Sequence, residues 1–168
     1  MKRKIVTYGN EILRKKSLPI TEITAEIAEL AEDMLQLMHQ EQGVGLAASQ
    51  VGVSLQMFTI NIESLNINDL VILNPEIIFK SENKETAEEG CLSFPGITGD
   101  ITRPERIILK GIDLEKKPFE FECEGLIARA IQHEIDHLQG ILFIDRMSIE
   151  RRTQLKKRLN KLKREAKE

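Results

Sequence analysis

"GLIARAIQHEIDHLQG", Gly125–Gly140, carries two histidines four residues apart, and the rest of the chain is best read outward from that spacing. Its apolar positions recur at helical period, so the stretch is predicted to be a helix with Gly140 as its C-terminal stop. On a helix His133 and His137 share one face and can grip one metal ion. Glu134 lies between them in an H-E-x-x-H pattern, in which the two histidines bind metal and the glutamate acts as general base. A catalytic metal of this kind usually has three protein ligands and one open position. A third ligand must therefore be found, and the remaining histidine, His39, lies far upstream.

Two classes of residue compete for that role. After His137 the carboxylates are Asp145, Glu150, Glu165 and Glu168, the last three within a charged tail. Asp145 lies just past a turn. Before the helix stand two cysteines. Cys91, in "EEGCLSFPG", follows two acids and a glycine and precedes a proline, so it belongs to a turn or a strand end. A metal would stabilise its thiolate. Cys123, in "FEFECEG", sits in an alternating strand and reads as packing. Spacing favours Cys91 but leaves open a zinc endopeptidase with a carboxylate third ligand. It also leaves the pair as two buried histidines on a core face.

The bulk composition sets the frame. The chain has 168 residues, 41% hydrophobic and 30% charged, with a formal net charge of −3. That size suits one domain. No apolar run approaches the length of a membrane span. The start, "MKRKIVTYGNEIL", is basic but has no apolar segment of the kind a secretory signal needs, and two cysteines then suggest a reducing cytosol. Charge is unevenly spread: Glu150–Glu168 holds nine Lys or Arg and three Glu, a net +6, so the remaining residues carry −9. Such a basic end on an acidic body suits nucleic acid or simply a solvated helix.

Residues 23–41 place Ile23, Ile27, Leu30, Ala31, Met34, Leu37 and Met38 at helical spacing, with Thr21 or Thr24 as cap. "QGVGLAASQVG" follows and reads as an irregular loop with room for something close to its backbone. "LQMFTIN", "DLVILNPEIIF", "RIILKGIDL" and "PFEFECE" read as strands. A second amphipathic helix is expected after Ser148, at about 149–166. One α+β domain over residues 1–168 accounts for this pattern.

Three segments, "GVGLAASQ" (Gly43–Gln50), "EGCLS" (Glu89–Ser93) and "HEIDH" (His133–His137), together resemble the three signature motifs of the peptide deformylase family, in their usual order. The resemblance runs from the first residues through the final helix. It implies an α+β fold with antiparallel sheets packed around the metal-binding helix. It implies that Cys91, His133 and His137 are the metal ligands, that Glu134 is the acid/base, and that the Gln50 side chain and the Leu92 N–H meet the carbonyl oxygen under attack. One divalent ion per chain is implied, ferrous iron by family habit, with zinc, nickel or cobalt able to replace it. The substrate implied is the N-formylmethionine end of nascent polypeptides, in the bacterial cytoplasm and away from membranes. Peptide backbone would pair near Val44, Gly45 and Gly90, and the methionine pocket would include Val44, Leu126, Arg129 and Ala130. Many relatives carry an apolar residue at the position of Arg129, whose stem is expected to line the pocket while its guanidinium reaches solvent. Arg103 matches a family arginine near the substrate, with an ordinary surface charge as the alternative. The basic tail is expected to meet ribosomal RNA.

Overall fold

The two apolar periods in the chain are resolved in space by one sheet with a helix on each face. The structure, a computed structural model, describes residues 2–168. Helix α1 runs from Ala25 to Gln40, and the Thr24 side chain accepts a hydrogen bond from Ile27 N at its start. Strands β1 (Gly45–Ala47), β2 (Met57–Ile62), β3 (Ile67–Lys80), β6 (Arg106–Ile112) and β7 (Pro118–Glu124) pair antiparallel in the order β1-β2-β3-β6-β7. Strands β4 (Lys84–Gly90) and β5 (Thr98–Pro104) form a separate antiparallel pair. Helix α2 spans Gly125–Leu138, and α3 spans Ile149–Glu165 with Ser148 as its cap.

Alternation along β2 explains the layering. Met57 packs with Met34, Met38, Leu46 and Leu73 against α1, whereas Phe58 and Ile60 join Ile72, Ile107, Leu109 and the α2 residues Ala128, Ala130 and Ile131. Successive strand side chains point to opposite faces, so a strand covered on both sides is apolar throughout. A third cluster gathers Tyr8, Phe94, Ile101, Phe143, Leu155 and Leu159 beneath α3. Leu155 is 1% exposed and Leu159 8%, so each contributes about 1.5–3 kcal/mol of burial. This narrow stripe attaches the tail helix to the body.

The strands read from sequence are present, with two additions. Part of the segment read as an irregular loop forms β1, which pairs with β2 through Gly45, Leu46 and Ala47. The β4–β5 pair was not foreseen. β3 continues through Asn74–Pro75 because the register with β6 shifts between Leu73 and Glu76, a bulge that removes the demand for a proline N–H. Asn74 adopts a left-handed φ of 49°, and its side chain bonds both the N and the O of Ile20.

Helix α2 ends as its sequence requires. Gly140 has φ +75°, and a Cβ there would collide with the carbonyl oxygen of Arg14. Gly140→Ala should therefore lower stability by roughly 1–3 kcal/mol in urea unfolding. A stability equal to that of the parent protein would show that the turn and the Arg14 segment shift without strain.

Candidate metal centre

Helix α2 presents His133 and His137 on one face, as their spacing requires, and the chain leaving β4 at Gly90 brings Cys91 to them. The nearest ligand atoms of Cys91, His133 and His137 lie within 4.8 Å of one another. Cys91 Sγ is 3.4 Å from His137 Nε2. One thiolate and two imidazoles at this separation fit a single zinc, iron, cobalt or nickel ion. The rival carboxylate is committed elsewhere: Asp145 accepts two hydrogen bonds from Arg14, at 2.5 and 3.0 Å, and one from Leu142 N. Cys123 is buried in the α2 core, where burial pushes its thiol up to about 11.

A buried charge cluster holds the helix face in place. His133 Nδ1 lies 2.8 Å from Glu89 Oε1, which leaves Nε2 free to face the other ligands. Arg103 donates twice to Glu89, at 2.6 and 2.9 Å, and once to Asp136, at 2.8 Å. Asp136 also accepts two hydrogen bonds from Arg146, at 2.6 and 2.7 Å. Burial opposes ionisation of Glu89, yet the donors Arg103 and His133 hold its carboxyl well below the usual range. Burial and the neighbouring His133 hold His137 well below the ordinary imidazole value, so it stays neutral with a lone pair available. His133 shifts the opposite way: burial disfavours its charge, but the neighbouring Cys91 and Glu89 outweigh that and raise it well above the ordinary imidazole value.

Two arginines depart from their sequence reading. Arg103 is 3% exposed, neither a surface charge nor a wall of the cleft, because Glu89 and Asp136 neutralise it in the interior. Arg129 does line the cleft, but its guanidinium does not reach solvent. It donates to Glu89 (2.7 Å) and to the carbonyls of Ile101 and Glu85 (both 2.8 Å). Glu89 and Asp136 were the residues that motif reading passed over. For Glu89 the available signal was the pair of acids, Glu88 and Glu89, ahead of Gly90 and Cys91; for Asp136 it was only its place between the two histidines.

The centre opens into a cleft of about 520 Å³. Val44, Gly45, Gln50, Gly90, Cys91, Leu92, Leu126, Arg129, Ala130, His133 and Glu134 all line it. Gln50 is oriented by three contacts: Oε1 accepts from Ala47 N at 2.9 Å, and Nε2 donates to Ser93 Oγ at 3.1 Å and Cys91 Sγ at 3.5 Å. A Cβ at Gly45 would sit 2.6 Å from Glu134 Oε1, so a side chain there would push that carboxyl out of place. Glu134 is 4% exposed, and among the described residues its Oε2 has no hydrogen-bond partner. Burial pushes its carboxyl up to about 7. It is a buried carboxyl poised to exchange a proton near neutrality.

Comparison with known proteins agrees with this geometry. The family model for polypeptide deformylase matches residues 2–153. The chain is 45% identical over 162 residues to a peptide deformylase of Endomicrobium trichonymphae, covering 96% of each protein. It is 41% identical over 177 residues to that of Methylacidiphilum infernorum (isolate V4), covering 96% of this chain and 93% of the relative. The crystal structure of a peptide deformylase from Legionella pneumophila superposes with a TM-score of 0.89 at 41% identity, covering 98% of this chain and 96% of that one. The enzyme from Thermus thermophilus gives 0.89 at 38% identity, covering 96% and 98%. The chain belongs to the polypeptide deformylase family, metal-dependent hydrolases that release formate from the formyl-methionine end of newly made proteins.

Proposed function

We propose that Cys91, His133 and His137 hold one divalent ion, ferrous iron in the native enzyme, with zinc, nickel or cobalt able to replace it. Glu134 is the acid/base of formyl hydrolysis. The observation that carries this reading is the convergence of a thiol and two imidazoles from separate segments, within 4.8 Å, beside a buried carboxyl. When bound, the ion acts as a Lewis acid and makes hydroxide available near neutral pH. Glu134 takes the proton of the attacking water and delivers it to the departing amine. Gln50 Nε2, giving up its long contact of 3.5 Å to Cys91 Sγ, and the Leu92 N–H donate to the formyl oxygen as it becomes negative, and one such donor is worth about 3–4 kcal/mol.

Substrate recognition follows from the walls of the cleft. Val44 and Leu126 are 46% and 47% exposed, an apolar mouth for the methionine side chain with Ala130 and the Arg129 stem behind it. Among the described residues β1 pairs only with β2, and β4 only with β5. An extended peptide can add between them at Val44–Gly45 and Gly90, and backbone pairing accepts many sequences.

Residues 1–168 act as one catalytic domain ending in a basic helix. Among the described residues no helix is long and apolar enough to cross a membrane. We place the enzyme's action in the cytoplasm, where nascent formylated chains are made. We assign α3 to ribosomal RNA. Its apolar stripe faces the body, while Lys156, Lys157, Lys161 and Arg164 are exposed. Some of its cations are committed to the body: Arg151 donates to Thr98 O at 2.8 and 3.0 Å, and Arg158 to Gly96 O.

Cys91→Ala and His137→Ala should abolish metal binding, whereas Glu134→Ala should keep the metal and lose formate release from formyl-Met-Ala-Ser. Metal analysis of protein purified without air checks this, and equal metal loss in all three variants would remove Glu134 from its role. The ribosome assignment is tested by replacing Lys156, Lys157, Lys161 and Arg164 together with Gln, which spares Leu155 and Leu159. Ribosome binding should weaken and lose much of its salt dependence, while activity on the short peptide stays unchanged. Unaltered binding at matched salt would leave α3 as a solvated helix.

A further inference from the structure

The cleft does not end at the metal centre. Glu41, Leu92 and Pro95 line it and also line a second hollow of about 390 Å³. The other hollows of comparable size, beside Asn74 and beside Tyr8, share no lining residue with the cleft. The far wall of this second hollow is Lys2, Arg3 and Lys4, with Ile5 and Leu37 as apolar surface between them. Two backbone bonds fix this N-terminal segment beside the centre: Val6 N donates to Gln50 O at 2.8 Å, and Tyr8 N to Ser93 O at 2.9 Å. The basic wall is thus tied to the same loops that position Gln50 and Ser93.

The charges do not cancel. Arg3 Nε is paired with Asp33 at 3.2 Å, and among the described lining residues Glu41 is the one carboxylate set against Lys2 and Lys4, which leaves one positive charge in excess. Both lysines are exposed at the rim. A formylated chain whose methionine occupies the apolar mouth has to leave the cleft, and this hollow continues the cleft past Leu92. An acidic side chain arriving there meets two ammonium groups. A basic one meets repulsion.

We propose that Lys2 and Lys4, with the hollow beside Leu92 and Pro95, form a downstream subsite that favours acidic residues in the formylated substrate after its first three positions. This rests on the reading of the cleft as the peptide site. Glu41, on the near side, confines the preference to residues that pass it. Exposed ion pairs are weak and screened, so the effect is a bias in binding rather than a filter.

The test compares formyl-Met-Ala-Ser-Glu-Glu with its Gln-Gln and Lys-Lys counterparts on the metal-loaded enzyme and on a Lys2→Gln/Lys4→Gln variant, at low and high salt. The parent enzyme should show kcat/KM about three- to tenfold higher for the Glu peptide than for the Lys peptide at low salt, mostly in KM. That ratio should fall toward one at high salt and in the variant. Formyl-Met-Ala-Ser serves as control and should be cleaved equally by both proteins. A ratio near one in the parent, or a ratio unchanged by the double substitution, overturns the subsite while leaving the catalytic assignment intact. Absence of formate from the control peptide would instead overturn the cleft reading together with the subsite.

Discussion

An ionised carboxylate persists in a protein interior only when donors surround it, and Glu89 receives them from three residues. Arg103 contributes two hydrogen bonds, Arg129 one and the His133 ring one. The chain of charge continues from Arg103 to Asp136 and from Asp136 to Arg146. These contacts join β4, β5, helix α2 and the turn that follows it. Cys91 and the two histidines come from separate segments, and this cluster is what locks one segment against the other. Breaking a pair of this kind typically costs about 3–5 kcal/mol, because an uncompensated charge stays behind. The same cluster fixes which His133 nitrogen faces the ligand set.

Backbone supplies the second constraint. β1 passes so close to Glu134 that a side chain at Gly45 would displace its carboxyl, and one at Gly43 would displace the end of Leu92. Glu134, the proposed acid/base, is therefore held against main chain on one side while it still lines the cleft. A chamber walled by backbone at Gly43–Gly45 and Gly90–Leu92 suits the formyl group, the smallest acyl group a peptide can carry. The exposed apolar side chains of Val44 and Leu126 stand at the mouth of the same cleft, where we propose the methionine side chain binds.

The sequence disclosed what local periodicity and spacing determine. Helix α2, its stop at Gly140, the shared face of His133 and His137, and the Leu155–Leu159 stripe all follow from 3.6-residue repeats and one left-handed glycine. What stayed hidden depends on partners distant in the chain. "KETAEEG" has no apolar alternation because β4, paired with β5, is exposed along most of its length and buries only Glu89, so the strand carried no readable period. β1 is three residues long and rich in small side chains, and its strand character comes from pairing with β2 alone. The resemblance put Arg103 near the substrate, with a surface charge as the alternative, and the Arg129 guanidinium was expected to reach solvent. Their burial depends on Glu89 and Asp136, which no local pattern announces. Cys91 could be favoured by spacing but not separated from Asp145 until the fold had assigned Asp145 to Arg14.

The claim that the Glu89 cluster shapes the metal centre has a direct test in zinc affinity, measured by competition with a chromophoric chelator for Glu89→Gln and the parent enzyme. Gln keeps the size of the side chain and removes its charge, and circular dichroism confirms that the protein compared is folded. An outer hydrogen-bond partner of a ligating histidine is worth about 10–100-fold in metal affinity, so the variant should bind zinc weaker by that factor. An affinity equal to that of the parent would contradict the account and leave the three ligands positioned by packing alone.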